Sequence, residues 1–258
     1  VAHGPGFLPE GALFFSAELV EGESPVAYVK KKQGVARTHA VLHVAAGVAS
    51  ALEHLHAAGL VHRDIKPANV RVDARGLVKL LDLGLACVRA PAGMEDISGT
   101  PHYMAPEAFT GRFDARTDLY ALGALLYELL CDRPPFVAAD ARALVRAVVT
   151  EALSPVREHA PEVPESIERL VATLLARSPE ERHASATVLL ADLARIAEGL
   201  GFALTSEREQ HARAARPVLP PPLCERDAPL ATLVDRLGRE LLAGTVCVQG
   251  APGTGKSR

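Results

Sequence analysis

The sequence has little cysteine and no paired cysteine. Cys87, Cys131, Cys224 and Cys247 lie far apart with no CxxC spacing, which argues against a zinc knuckle or a disulfide framework and leaves free thiols in a reducing compartment. It also lacks a surplus of either charge. With 28 basic against 31 acidic residues and a formal net charge of −3, nothing favours nucleic acid or an anionic membrane surface as a partner. Long apolar runs are missing too. The most apolar stretch, residues 119–130, is interrupted by Glu128 and followed by Asp132, so no segment reaches the roughly 18 apolar residues that a bilayer span needs. No internal repeat is visible, and the expectation is a soluble, cytoplasmic chain.

What is present is apolar content and helical periodicity. At 48% hydrophobic over 258 residues, the chain can bury one large core or two smaller ones. Residues 12–19, ALFFSAEL, read as a buried strand ending at the turn cluster EGESP, with a short helix to follow as far as Lys32. Apolar residues at 41, 44, 45, 48, 52 and 55 step by three and four, and Gly59 follows them, so residues 38–58 read as a long amphipathic helix. Two short strands, 70–72 and 77–81, flank the turn residues 73–76. Further helices are expected over 118–130, 140–149, 165–175 and 185–198. From Gly199 the pattern dissolves toward Pro217 and Pro220–Pro222, a composition that stiffens a linker rather than packing a core. Helical spacing returns over 229–242, and 245–249 reads as a strand.

The chemistry concentrates around that hairpin. Phosphoryl transfer needs an acceptor for a hydroxyl proton and oxygen ligands for Mg²⁺, and Asp64, Asn69 and Asp82 supply such a set. HRDIKPAN at 62–69, DLG at 82–84 and GTPHYMAPE at 99–107 resemble, in order and spacing, the catalytic loop, metal-binding loop and activation-segment end of protein kinases. Lys66, two residues after Asp64, makes the likeness one to bacterial-type serine/threonine kinases. The resemblance covers about residues 13–198 and implies an α+β, protein kinase-like fold, mainly the helical C-lobe with a hinge strand.

By that resemblance Asp64 accepts the substrate proton, Lys66 sits on the transferred phosphate, and Asn69 and Asp82 ligate Mg²⁺. The segment ALFFSAELVEGES resembles the last N-lobe strand and hinge, so backbone groups of Glu18 and Val20 are expected to hold the adenine of ATP. Asp118 resembles the residue that braces the catalytic loop, and Glu107 with Arg182 the ion pair that anchors the activation segment. Taken singly, each piece has a blander reading: His62 as a core histidine, Asp82 as a strand-end aspartate, Glu107 and Arg182 as a surface pair.

The pattern is also broken in places. Residues 1–11 hold no lysine and only an isolated GPG at 4–6, so the Gly-rich loop and strand lysine of a kinase are expected upstream, and this stretch of chain alone is expected to phosphorylate poorly. Leu83 stands where Phe is commonest, Ala17 at the gatekeeper position, and Arg71 at a usually apolar position beneath the adenine, where its aliphatic stem could serve as floor. Arg63 suggests regulation through a phosphate on the activation segment, with Ser98 as the candidate.

At 250–257, GAPGTGKS fits GxxxxGKS and follows the strand-like TVCVQ. Amides around Gly250, Gly253, Thr254 and Gly255 are suited to cradle phosphates, with Lys256 on the β and γ phosphates and Ser257 on Mg²⁺. Together with LCERDAPLATLVDRL this resembles the entry of an AAA- or STAND-like P-loop ATPase. The domain expectation is a kinase domain over 1–199, a linker over 200–223 and the start of an α/β NTPase domain over 224–258, with a second nucleotide as ligand. Two other functions stay open: a degenerate kinase acting as a scaffold, and a small-molecule phosphotransferase, which GTPHYMAPE disfavours. His54 and His56 cannot share one helical face and read as ordinary helix-end residues. Lys30, Lys31 and Lys32 read as a solvated helix end.

Overall fold

In the computed structural model, residues 2–7, 13–17, 20–82 and 101–204 are described. Strand Ala2–Phe7 (β1) pairs antiparallel with Leu13–Ala17 (β2), from Ala2 opposite Ala17 to Phe7 opposite Leu13. Its register shifts between His3 and Pro5, where the proline has no amide hydrogen to give the ladder. Sequence periodicity indicated β2 alone, because the GPG of β1 reads as turn rather than strand. This hairpin lies in one of the chain's two compact units.

The described residues of Glu21–Glu209 form a second compact unit. Ser24 caps helix Pro25–Lys30 (α1) by accepting the Ala27 amide at 3.1 Å, with Pro25 in the first turn, where its missing N–H costs nothing. Gly34–Ala57 (α2) follows, starting four residues earlier than the apolar pattern alone indicated. It has the length and hydropathy of a membrane span, yet 56% of its most apolar window is buried. It packs against Ala115–Cys131 (α3) and Ala186–Gly199 (α7) as a core helix.

Between α2 and α3 the chain forms the hairpin Val70–Val72 (β3) and Val78–Leu80 (β4), in register from Val70 opposite Leu80 to Val72 opposite Val78. Asp73 closes its turn by accepting the amides of Arg75 at 2.8 Å and Leu77 at 2.9 Å, and Gly76 takes φ +84°. The hairpin's open end therefore holds residues 62–69 and 81–82 side by side.

Helix α3 is the centre of the unit, with every residue from Thr117 to Tyr127 buried. Asp114 and Thr117 form a reciprocal capping box at its start. Arg37 of α2 closes its end, donating to the carbonyls of Leu129 at 3.0 Å and Leu130 at 3.3 Å and pairing with Asp132 at 2.8 Å. Helices Val156–His159 (α5) and Glu165–Leu174 (α6) pack against it, while Ala141–Thr150 (α4) packs against residues 101–103 and 106–110; α4 is capped by Asp140 and α7 by Ser185. Helix α6 comes so close that a Cβ on Gly123 would stand 2.7 Å from Leu174 Cβ. The core formed this way fixes the ends of α3, and the site is built on its first turns.

Candidate active site

Asp118, in the first turn of α3, is wholly buried, and a buried carboxylate is tolerable only when its oxygens are matched by donors. Three N–H groups meet it. Oδ2 accepts from the His62 amide and from His56 Nε2, Oδ1 from the Arg63 amide, each at 2.8 Å. Arg63 adopts φ +68°, a left-handed conformation that costs a non-glycine residue about 1–2 kcal/mol. The two backbone bonds to Asp118 hold that conformation, and the Arg63 guanidinium lies 4.8 Å from the Phe113 ring centroid.

His62 is equally buried and acts as a stitch. Its Nε2–H donates to the Leu81 carbonyl at 3.0 Å, which leaves Nδ1 to accept the Asp64 amide at 3.3 Å and fixes the tautomer. The Leu81 amide donates to the Asn69 carbonyl at 2.7 Å. Two bonds thus tie residues 62–69 to the residue before Asp82, itself at φ +60°.

The Asp64 carboxylate receives Lys66 Nζ at 2.7 Å and Asn69 Nδ2 at 2.8 Å, both on Oδ2. Asn69 Nδ2 also donates to the Asp64 carbonyl at 2.8 Å. With both amide hydrogens committed, Asn69 offers only its carbonyl oxygen to a ligand, a hard donor of the kind Mg²⁺ takes. Asp82, brought beside it by the Leu81 bonds, adds a carboxylate. The donor set fits a hard divalent cation.

A second cluster anchors residues 101–110. The Arg182 side chain is fully buried and commits all five N–H groups: to Glu107 Oε1 at 2.7 Å and Oε2 at 2.8 Å, and to the carbonyls of Ala176 at 2.8 Å, Arg116 at 3.0 Å and Arg177 at 3.1 Å. Its guanidinium lies 4.9 Å from the centroid of Tyr120, whose phenol burial pushes above its ordinary pKa. Glu107 and Arg182 are therefore no surface pair. Nearby, the Tyr103 hydroxyl donates to Glu128 Oε2 at 2.5 Å, and burial first, then that bond, raise its pKa.

Asp64, Lys66, Asn69 and Asp82 thus come together at the hairpin's open end, with Asp118 beneath. Glu18, residues 83–100 with Leu83 and Ser98, and residues 250–257 lie outside the described residues. Val20 is half-buried. His56 is the residue that sequence reasoning passed over: it and His54 do split between two faces, His54 bonding the Ser50 carbonyl at 2.8 Å, but the other face leads to Asp118. Thr117, whose hydroxyl donates to Glu107 at 3.1 Å, was also missed. Each side chain is matched to a partner more than nine residues away, which helical spacing alone cannot reveal.

A family model described as a protein kinase domain matches residues 7–193. A probable serine/threonine-protein kinase of Streptomyces coelicolor is 38% identical over 164 residues, 61% of this chain and 24% of that protein. The serine/threonine-protein kinase PknB of Mycolicibacterium smegmatis is 35% identical over 199 residues, 74% of this chain and 32% of its own length. The DNA damage-responsive serine/threonine-protein kinase RqkA of Deinococcus radiodurans is 38% identical over 185 residues, 69% of this chain and 28% of that one. The chain spans between 24% and 32% of the length of these relatives.

Proposed function

The chain belongs to the protein kinase domain family, and from that premise we propose that it carries the machinery of a serine/threonine kinase, passing the γ-phosphate of ATP to hydroxyl groups of protein substrates. Asp64 orients the attacking hydroxyl and accepts its proton. Lys66 offsets charge on the transferred phosphate. Asn69 and Asp82 are the residues suited to hold Mg²⁺, which when bound neutralises phosphate charge. The single observation that carries the reading is the Asp64 carboxylate, held between Lys66 at 2.7 Å and Asn69 at 2.8 Å beside the tethered Asp82.

The buried network around Asp118 supports the same reading, because it fixes the backbone on which Asp64 stands before any ligand arrives. Relatives whose names say serine/threonine-protein kinase support the acceptor class. The finer parts are proposals on sequence pattern: adenine contacts at the backbone of Glu18 and Val20, and a second nucleotide on Gly250, Gly253, Thr254, Gly255, Lys256 and Ser257 of an ATPase module coupled to the kinase.

The test is phosphate transfer by the full-length protein to a Ser- or Thr-containing protein, with Asp64→Asn as the variant. Loss of about 10²–10⁴-fold in turnover is expected from removing a general base. Transfer by the variant at the unaltered rate would sink the assignment. Lys256→Ala should remove one of two nucleotide equivalents bound while leaving transfer measurable.

A further inference from the structure

A cavity of about 430 Å³ opens between α4 and α6, and none of its lining residues belongs to the clusters around Asp64 and Asp118. Its walls are Val148 and Glu151 at the end of α4, the stretch around Leu153 and Pro155, and the side of α6 that carries Glu168 and Ala172. Nine of its twelve lining residues are apolar, and a mostly apolar space of roughly 300–1,000 Å³ with a few polar groups is what small-molecule sites offer. Ala152 and Ala172, both exposed, are too short to fill it. The walls are also pinned. The Arg157 amide donates to Glu168 Oε1 at 2.8 Å, the Arg177 guanidinium to the Glu151 carbonyl, and the Tyr127 hydroxyl to the Ser154 carbonyl at 3.0 Å. A space held open this way needs little ordering when a ligand enters.

The charged lining residues are Glu151, Glu168 and Arg177. Among the described residues no basic side chain forms an ion pair with either carboxylate, and Arg177 turns to a backbone carbonyl instead. Two carboxylates against one guanidinium leave the cavity negative, so an apolar ligand is best completed here by a positive charge. The cavity also meets the anchor of residues 101–110. Ala176 and Arg177 line it, and their carbonyls accept at 2.8 and 3.1 Å from Arg182, the residue that holds Glu107. Phe136 lines it too, and its carbonyl accepts from His102 Nδ1 at 3.3 Å. A ligand against residues 136 and 176–177 therefore touches two attachments of that segment.

We propose that this cavity is a regulatory site for a small amphiphilic cation, an apolar body ending in an amine, whose binding stiffens residues 101–110 through Arg182 and His102. The regulatory half rests on the reading of those residues as part of a phosphoryl-transfer site; the binding half does not. Glu151 and Glu168 set the preference for positive charge, and the two alanines set the space. Coupling requires tighter binding to the anchored form of the segment than to a loosened one, and the shared residues 136, 176 and 177 supply that difference.

Calorimetry of the full-length protein with n-octylamine, and with octanoate as a similar body of opposite charge, tests the binding. Octylamine should bind more tightly. Ala172→Phe and, separately, Ala152→Phe bring a ring into the space from exposed positions, so that misfolding of one leaves the other. Each should weaken octylamine by about 10-fold or more, the loss expected when two or more methylenes are kept out. The double variant Glu151→Gln, Glu168→Gln keeps an acceptor for the Arg157 amide and should weaken octylamine about 3- to 10-fold without weakening octanoate. Octanoate binding as tightly as octylamine, or full affinity in either folded alanine variant, would overturn the site. Hydrogen exchange reads the coupling: with octylamine bound, amides of residues 101–110 should exchange more slowly in the parent, and not in Ala172→Phe at the same octylamine concentration. Unchanged exchange with the cavity occupied overturns the regulatory role. Neither readout uses phosphate transfer, so the outcome of the Asp64→Asn test and the outcome here stand apart.

Discussion

Replacing Glu107 by Gln exchanges one oxygen for an amide, at a place where water cannot compensate. Arg182 has no exposed side-chain surface and the Glu107 side chain is 14% exposed. The new amide keeps an acceptor for Arg182 Nη1 and Thr117 but turns a donor toward Arg182 Nη2, so one bond of 2.8 Å becomes a donor facing a donor. Removing one partner of a buried pair costs about 3–5 kcal/mol. Three backbone carbonyls and the Tyr120 ring still solvate the cation, which puts the loss near the low end, about 3 kcal/mol. For a domain of this size that is about 6–12 °C in Tm, at 2–4 °C per kcal/mol. Differential scanning fluorimetry of Glu107→Gln, Arg182→Met and the double variant tests it, and the double variant should lose less than the sum, since it leaves no buried charge unmatched. A Tm within about 1 °C of the parent for Glu107→Gln would refute the reasoning, because the carbonyl network alone would then anchor Arg182.

His56→Ala should lower stability by about 1–3 kcal/mol by stripping a donor from the buried Asp118 carboxylate, whereas His54→Ala, bonded only to its own helix, should stay within about 0.5 kcal/mol; equal melting shifts would mean that the Asp118 contact is idle. Gly123→Ala improves helix propensity by about 1 kcal/mol but drives a Cβ to 2.7 Å from Leu174 Cβ and 3.3 Å from its backbone. Overpacking of about 1–3 kcal/mol outweighs the gain, so Tm falls; a rise would show that α6 yields freely. Burial pushes the Cys131 thiol up to about 11. A raised folded pKa keeps the thiol protonated where the unfolded chain ionises, so alkylation of Cys131 by iodoacetamide, followed by peptide mass mapping, should be slow at pH 9 and rise through about pH 11. An inflection at 9 would mean that the thiol is not buried.

The legible parts of this chain are those in which one local cause decides. Ser24, Asp140 and Ser185 announce helix starts because each cap satisfies amides within three residues, and the Asp73–Gly76 turn declares the hairpin by its own chemistry. Sequence could also line up Asp64, Lys66, Asn69 and Asp82, because a spacing of motifs carries them. It could not see that β1 pairs with β2, since Pro5 and two glycines disguise a strand whose partner supplies the evidence. It misjudged the start of α2, where Val35 is 71% exposed and no buried face marks the first turn. His56 was lost for the same reason in reverse: its meaning resides in Asp118, 62 residues away.

One turn of α3 serves both halves of the site. Asp118 points to His62 and Arg63, while the Arg116 carbonyl, the Thr117 hydroxyl and the Tyr120 ring meet Glu107 or Arg182. Residues four apart on a helix share a face and neighbours within the turn diverge, so a single turn can present different side chains to two clusters at fixed separation. That turn is itself set by the Asp114 box at one end and by the Gly123 contact with Leu174 further along. Placement of Asp64 relative to residues 101–110 therefore depends on the packing of the helical core, and neither cluster can shift along α3 without the other. The arrangement gives the loop 62–69 and the segment 101–110 a common rigid reference, which is what the proposed transfer would need to hold two reacting groups in line.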